Sequence, residues 1–257
     1  MSLKLFDLSG RTALITGGSR GLGLQIAEAY GAAGAKLVLT ARKRHELDEA
    51  AAHLGAMGAE VATVACDLTE IDTIPDVAAQ AGAAFGGIDI LVNNAGTSWG
   101  APMEAHPLDG WNKVMTLNVT APYVLTQEVG KRFMLPAGSG RIVNIASVAG
   151  LGGNRADLEM YTIAYNTSKG AMITFTRALA TEWGPRGINV NALAPGFFPS
   201  KLAQVLMDRL EEKMMPGIPL RRFGGEEDLK GPALLLASDA GRHITGECIA
   251  VDGGMMA

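Results

Sequence analysis

Tyr165 and Lys169 stand four residues apart in the run Tyr165-Asn166-Thr167-Ser168-Lys169, inside a segment of helical period. On a helix that spacing puts both side chains on one face, with the ammonium near the phenol. A free phenol titrates at about 10, too high for efficient proton exchange near neutrality. A neighbouring cation favours phenolate, so the pair is a candidate acid/base for moving a proton to or from an oxygen. Tyr161 lies one turn earlier but has no lysine four residues on, and is set aside.

A second candidate is the run Thr16-Gly17-Gly18-Ser19-Arg20-Gly21-Leu22-Gly23, which follows a short apolar segment and opens a helical one. Glycines there let the backbone approach a pyrophosphate, and a helix N-terminus supplies free N–H groups and a positive dipole end. The spacing is Gly-x-x-x-Gly-x-Gly, which matches the commoner Gly-x-Gly-x-x-Gly fingerprint only in kind. NAD sites place an acid about 20 residues past the glycines, whereas an arginine suits a 2′-phosphate. Here Leu39-Thr40-Ala41 runs into Arg42-Lys43-Arg44, and the first acid is Glu46. Arg42, with Arg20 inside the turn, offers the planar fork that matches phosphate oxygens. The reading is NADP(H) in preference to NAD(H).

These groups need elements to hold them. Short apolar runs read as strands at Arg11–Thr16, Lys36–Ala41, Glu60–Ala65, Ile88–Val92, Arg141–Ile145, Ile188–Leu193 and Cys248–Val251. Between them lie helical patterns: one ending near Gly31, then Arg42–Met57, Ile71–Phe85, Leu108–Leu135 with Pro122 inside it, Ala164–Trp183, Ser200–Met214 and Glu226–Leu236. Repeated strand–helix–strand order with continuously apolar strands implies an α/β fold. The expected architecture is one doubly wound parallel sheet, of Rossmann type, with helices on both faces. No linker divides the chain, so residues 1–257 are expected to form a single domain.

In chain order, Thr16–Gly23, Asn93-Asn94-Ala95-Gly96, Asn118, Ser147, Tyr165/Lys169 and Pro195-Gly196 form a set that resembles the short-chain dehydrogenase/reductase family. The resemblance runs through Val251-Asp252-Gly253-Gly254, and the chain is similar to 3-oxoacyl reductases and gluconate 5-dehydrogenase-like members. It implies hydride transfer between a nicotinamide and a carbonyl or alcohol carbon. Tyr165 would be the acid/base, Lys169 would hold the nicotinamide ribose and lower the tyrosine pKa, and Ser147 would hydrogen-bond the substrate oxygen. Asn118 would position a water in the proton relay. Cofactor contacts are implied at Gly17, Ser19, Arg20, Gly21, Leu22 and Gly23, at Arg42, and at Asp67 and Leu68 beside the adenine. Others are implied at Asn94, Ala95 and Gly96, at Tyr165 and Lys169, and at Pro195, Gly196 and Phe198 near the nicotinamide. No metal is implied.

One departure stands out. Ser147 and Tyr165 are 18 residues apart, several more than the family pattern, and the extra residues in Gly150–Tyr161 include Asn154, Arg155, Asp157 and Glu159. Such a loop would lie at the substrate mouth or be a solvated surface. A lid around residues 197–222 is also implied, with Leu202, Val205, Leu206, Met207, Leu210, Met214 and Met215 on an apolar helix. The apolar lid favours 3-oxoacyl or hydrophobic ketones, and the charged insertion favours sugar acids. A non-catalytic NADP-binding sensor is the rival from another class; the intact Ser147, Tyr165 and Lys169 argue against it.

The formal net charge of −4 and the absence of a broad basic face argue against nucleic-acid binding. Met1 to Asp7 shows no secretory pattern, and no apolar stretch is long enough to span a bilayer. Cys66 and Cys248 read as reduced core residues of a cytoplasmic protein. The family resemblance implies a homotetramer, paired through the helices around Leu108–Leu135 and Ala164–Trp183 and again through the Val251–Ala257 tail.

Overall fold

The computed structural model describes residues 4–199 and 204–257. Ser200, Lys201 and Leu202 of the expected lid lie outside the described residues, as do the side chains of Val205 and Leu206 and the first part of the Met1–Asp7 run.

Among the described residues, seven parallel strands form one sheet in the order β3-β2-β1-β4-β5-β6-β7. They are β1 Thr12–Thr16, β2 Lys36–Ala41, β3 Val61–Ala65, β4 Ile90–Asn93, β5 Gly140–Ile145, β6 Ile188–Pro195 and β7 Cys248–Val251. The period of two along each strand splits the core between two faces. Ala13, Ile15, Leu37, Leu39, Ile90 and Val92 point to one face, where they meet Ile26, Leu47 and Leu236. Leu14, Val38, Leu91 and Ile142 point to the other and meet Ala78, Leu125 and Leu179. The first face is covered by α1 Gly21–Ala32, α2 Arg44–Ala56 and, late in the chain, Lys230–Ala237. The second is covered by α3 Ile74–Phe85 and the helices that follow β4 and β5. Both faces of the inner strands are covered, which is why those strands read as near-continuous apolar runs, interrupted by buried polar residues such as Asn93 and Asn144. This is the doubly wound sheet expected. Strand order reverses beside β1, so a crevice opens at the carboxyl ends of β1 and β4.

The expected long helix at Leu108–Leu135 is present but not uniform. It runs as α4 Leu108–Met115, a π-helical turn Thr116–Thr120, α5 Ala121–Val129, a second π-helical turn Gly130–Met134, and α6 Leu135–Ala137. Each wide turn ends two residues before a proline, Pro122 and Pro136. A proline inside a helix lacks an N–H and its ring presses on the carbonyl four residues back; local widening relieves the clash.

α7 Ile163–Trp183 matches its expected bounds within a residue, and α8 is Gln204–Met214. The expected helix at Glu226–Leu236 starts later, as α9 Lys230–Ala237, because Glu226–Leu229 forms turns instead. Cys66 and Cys248 are unpaired and half-buried, not core residues, because each lies near the carboxyl or amino end of an outer strand. No helix among the described residues is long and apolar enough to cross a membrane.

Candidate active site

Ser147 follows β5 by two residues and caps a tight turn, Val148–Gly150, its Oγ accepting from the Ala149 N–H at 3.1 Å. That turn packs on the start of α7, which carries Tyr165 and Lys169. The Ser147 hydroxyl lies near enough to the Tyr165 phenol to favour its ionised form. Lys169 Nζ donates to the Ile145 carbonyl at 2.7 Å and lies 5.5 Å from the centre of the Tyr165 ring. Three groups distant in sequence thus share one environment at the end of β5.

The electrostatics differ from the sequence expectation. Burial raises the Tyr165 phenol above its ordinary value, and the nearby Ser147 hydroxyl offsets this only in part. Burial also lowers the Lys169 ammonium to about 8; its side chain is 5% exposed. Burial thus outweighs any acidification of the phenol by Lys169. Desolvation opposes charge on both groups, and the ammonium spends its strongest hydrogen bond on Ile145.

Asn118 sits in the π-helical turn and is buried. Its side chain is fully occupied: Oδ1 accepts from the Thr97 N–H at 2.8 Å, and Nδ2 donates to the Thr97 carbonyl at 2.9 Å and to Ser168 Oγ at 3.0 Å. It ties the loop after β4 to α7 and does not line the cleft. The residue four positions on is Pro122, so no α-helical N–H is available to the Asn118 carbonyl. Pro122 makes this loss readable from the sequence once the helix register is known.

Deeper in the sheet, Asn93 Nδ2 donates to Asn144 Oδ1 at 2.8 Å and to Thr126 Oγ1 at 3.0 Å, and Asn144 Nδ2 donates to Thr176 Oγ1 at 2.9 Å. This buried polar chain joins β4 and β5 to the helices on one face, below the catalytic candidates.

A cleft of about 1520 Å³ runs along the carboxyl edge of the sheet. Of the expected cofactor residues, Gly17, Ser19, Arg20, Gly21, Leu22, Arg42, Asp67, Leu68, Asn94, Ala95 and Gly96 line it, as do Tyr165, Lys169, Pro195, Gly196 and Phe198. Gly23 does not. It is buried beneath the turn, where an added Cβ would lie 2.3 Å from the Gly17 carbonyl and 2.5 Å from Asn94 Nδ2. Its role is to let α1 approach the turn. Gly17, at φ +63°, reverses the chain in a region that side chains resist. The N-terminus of α1 has no side-chain cap and no acid in its first turn, so its N–H groups remain available to an anion. These features fit a dinucleotide.

Thr16 opens the glycine run, but the bonding role of its hydroxyl is not readable from the sequence. Its Oγ1 accepts from the N–H groups of Asn94 and Ala95 at 2.9 and 3.0 Å, and Asn94 Nδ2 donates to the Thr16 carbonyl at 2.8 Å. One hydroxyl locks the glycine turn to the end of β4. Nothing in a lone threonine at a strand end announces this. The Asp67 carboxylate accepts from the Thr69 N–H and hydroxyl at 2.9 and 2.8 Å, shaping the turn after β3.

At the opposite end, the Gly150–Tyr161 insertion is neither simply a mouth loop nor a solvated surface. Asn154 Nδ2 donates to the Met160 carbonyl at 2.7 Å and to Thr162 Oγ1 at 2.9 Å, and Asn166 Nδ2 donates to the Ala149 carbonyl at 2.9 Å. Leu158 is buried against Leu210 and Met214 of α8. Asn154, Arg155, Leu158 and Met160 line the cleft with Phe197, Met255 and Met256. Among the described residues, no group of three or more His, Cys, Asp or Glu side chains is placed to hold a metal.

Comparison with known proteins places this geometry in context. A family model described as enoyl-(acyl carrier protein) reductase matches residues 17–256. Gluconate 5-dehydrogenase of Gluconobacter oxydans is 38% identical over 254 residues, covering 98% of this chain and 96% of that protein. A rhamnolipids biosynthesis 3-oxoacyl-[acyl-carrier-protein] reductase of Pseudomonas aeruginosa is also 38% identical over 254 residues, covering 97% of each. The crystal structure of a short-chain type dehydrogenase/reductase from Mycobacterium marinum superposes with a TM-score of 0.94 at 37% identity, covering 99% of both chains. That of a gluconate 5-dehydrogenase from Burkholderia cenocepacia, in complex with NADP and tartrate, superposes with a TM-score of 0.93 at 32% identity, covering 100% of this chain and 99% of that one.

Proposed function

Because this chain belongs to the short-chain dehydrogenase/reductase family, we propose that it is an NADP(H)-dependent oxidoreductase interconverting a ketone or 3-oxo group and a secondary alcohol. The observation that carries this is the grouping of Ser147, Tyr165 and Lys169 in the cleft that begins at the uncapped N-terminus of α1.

The glycine turn, the α1 N–H groups, Asp67 with Leu68, and Asn94 to Gly96 would hold the dinucleotide. Arg20 and Arg42 would meet the 2′-phosphate, and Pro195, Gly196 and Phe198 the nicotinamide end. When bound, the cofactor supplies or accepts the hydride. Tyr165 gives its proton to the substrate oxygen in reduction and takes it back in oxidation. Burial keeps the phenol protonated, which suits the donor role. Ser147 orients the same oxygen and stabilises charge that develops on it. Lys169, held by Ile145, faces the ribose side, and the Asn118 carbonyl holds the relay water.

The described part of the 197–222 segment would act as a lid over the substrate, with Leu210 and Met214 packed on Leu158. Asn154 and Arg155 at the cleft wall favour a second reading, a polar sugar-acid substrate. Assembly is a homotetramer paired through α4, α5 and α7, where Leu108 and Tyr123 are exposed. The unpaired cysteines suit the cytoplasm.

The test is NADPH absorbance decay against 3-oxoacyl esters, keto-gluconates and aryl ketones, each repeated with NADH. Turnover of one class identifies the substrate; cofactor binding without turnover of any class would make the protein a sensor. Arg42→Ala should raise the NADPH Michaelis constant far more than the NADH one, and equal effects would sink the coenzyme assignment.

A further inference from the structure

The coenzyme end of the cleft holds a carboxylate that this reading leaves unused. Glu46 lies in the first turn of α2, and its Oε1 accepts from Arg20 Nη1 and from Lys43 Nζ, each at 3.0 Å. All three residues line the cleft. The Glu46 side chain is 16% exposed while each cation is 53% exposed, so the acid sits beneath the two cations. Those hydrogen bonds and charges hold its carboxyl below the usual range, so it is anionic at neutral pH. Arg44 turns away to Thr63 Oγ1 at 3.0 Å, which leaves Arg20, Arg42 and Lys43 as the cations facing the nucleotide.

We propose that Glu46 is a specificity-determining residue that weakens the preference for NADP(H) by occupying Arg20, one of the two arginines assigned to the 2′-phosphate, together with the neighbouring Lys43. The proposal rests on the NADP(H) reading above. A phosphate monoester near neutrality carries about −1.5 to −2 charges. Placed against Arg20 and Lys43, it meets the Glu46 carboxylate on the same two donors, and either the acid swings out or the two anions repel. A ribose 2′-hydroxyl carries no charge and accepts Glu46 as a neighbour. The carboxylate also serves the α2 N-terminus, which favours an anion in its first turn, a role a bound phosphate can take over. One acid thus tilts the site toward accepting both coenzymes.

The test uses nucleotide fragments that cannot turn over. The intact protein, E46Q and the double variant R20A/E46Q are titrated calorimetrically with adenosine 2′,5′-bisphosphate and with 5′-AMP. Glu46 is in a surface ion-pair group, whose removal costs folding little. The E46Q variant is expected to bind the bisphosphate about fivefold more tightly than the parent, the gain of removing about 1 kcal/mol of competition. The 5′-AMP affinity is not expected to improve, and the gain should vanish in R20A/E46Q. The ratio of NADPH to NADH Michaelis constants should fall in E46Q in the same sense. An unchanged or lower bisphosphate-to-AMP preference in E46Q overturns the proposal. If R20A and R42A lower that preference while E46Q fails to raise it, only Glu46 has been misjudged. If none of these variants moves it, the NADP(H) reading fails as well.

Discussion

Lys169 Nζ lies 5.5 Å from the centre of the Tyr165 ring but gives its 2.7 Å hydrogen bond to the Ile145 carbonyl. The ammonium is a strut between the end of β5 and the first turns of α7, and it is buried. Its charge is therefore costly, and its effect on the phenol is outweighed by desolvation. The consequences for activity and for stability separate.

Replacing Tyr165 with Phe removes the transferable proton and leaves the ring's packing intact. Turnover should drop by about 10²–10⁴-fold, the range for loss of a positioned acid/base. NADPH binding, followed by nucleotide fluorescence, should stay near the parent value. Activity within a factor of a few of the parent would exclude the phenol as proton donor.

In the folded chain Lys169 loses its proton at about 8, against 10.5 for the ordinary side chain. Between those values the unfolded chain binds more protons, so this group makes stability rise with pH from about 8 to 10.5. Below 8 the full penalty applies, on the order of 3 kcal/mol. Lys169→Met should accordingly be inactive, yet at pH 7 at least as resistant to urea as the parent. Its advantage should shrink toward pH 10.5. A variant that is less stable at pH 7 by a margin independent of pH would contradict the buried-charge account.

Pro122→Ala supplies the N–H that the Asn118 carbonyl lacks. The helix should tighten through the wide turn and gain up to about 3 kcal/mol, the helix-interior penalty of proline. Occupied by that N–H, the carbonyl no longer holds a water, and kcat should fall with little change in KM. A more stable variant with unchanged kcat would remove the main chain of Asn118 from the relay.

Gly23→Ala forces a methyl to 2.3 Å from the Gly17 carbonyl. The glycine turn or the start of α1 must shift, at a cost of about 1–3 kcal/mol for overpacking. Nucleotide affinity, measured by calorimetry with 5′-AMP, should drop at least tenfold. Parent-like affinity would mean that the close approach of α1 to the turn is not what shapes the site.

Much of this was legible before any coordinates. Strand positions followed from apolar runs, and β2 and β7 have the expected bounds, because a short apolar run between turn residues marks a strand. The two π-helical turns were not foreseen, although Pro122 and Pro136 were visible, since period alone does not reveal how a long helix accommodates a proline. Asn118 and Asn93 looked like separate motif members, and Asn144 had no assigned role. Only the fold joins them to Ser168, Thr126 and Thr176 through buried hydrogen bonds.

The amino-acid order by itself determined which groups exist and how near neighbours are spaced: a phenol and an ammonium one helical turn apart, glycines where a strand meets a helix, arginines in place of an acid. Tertiary structure alone decided what those groups are worth. It buried Tyr165 and Lys169, moved the lysine's strongest bond to Ile145, and set Glu46 between Arg20 and Lys43. Spacing is a local, covalent property. Charge state and hydrogen-bond partner depend on what the rest of the chain packs around a group, and that is known only once the chain has folded.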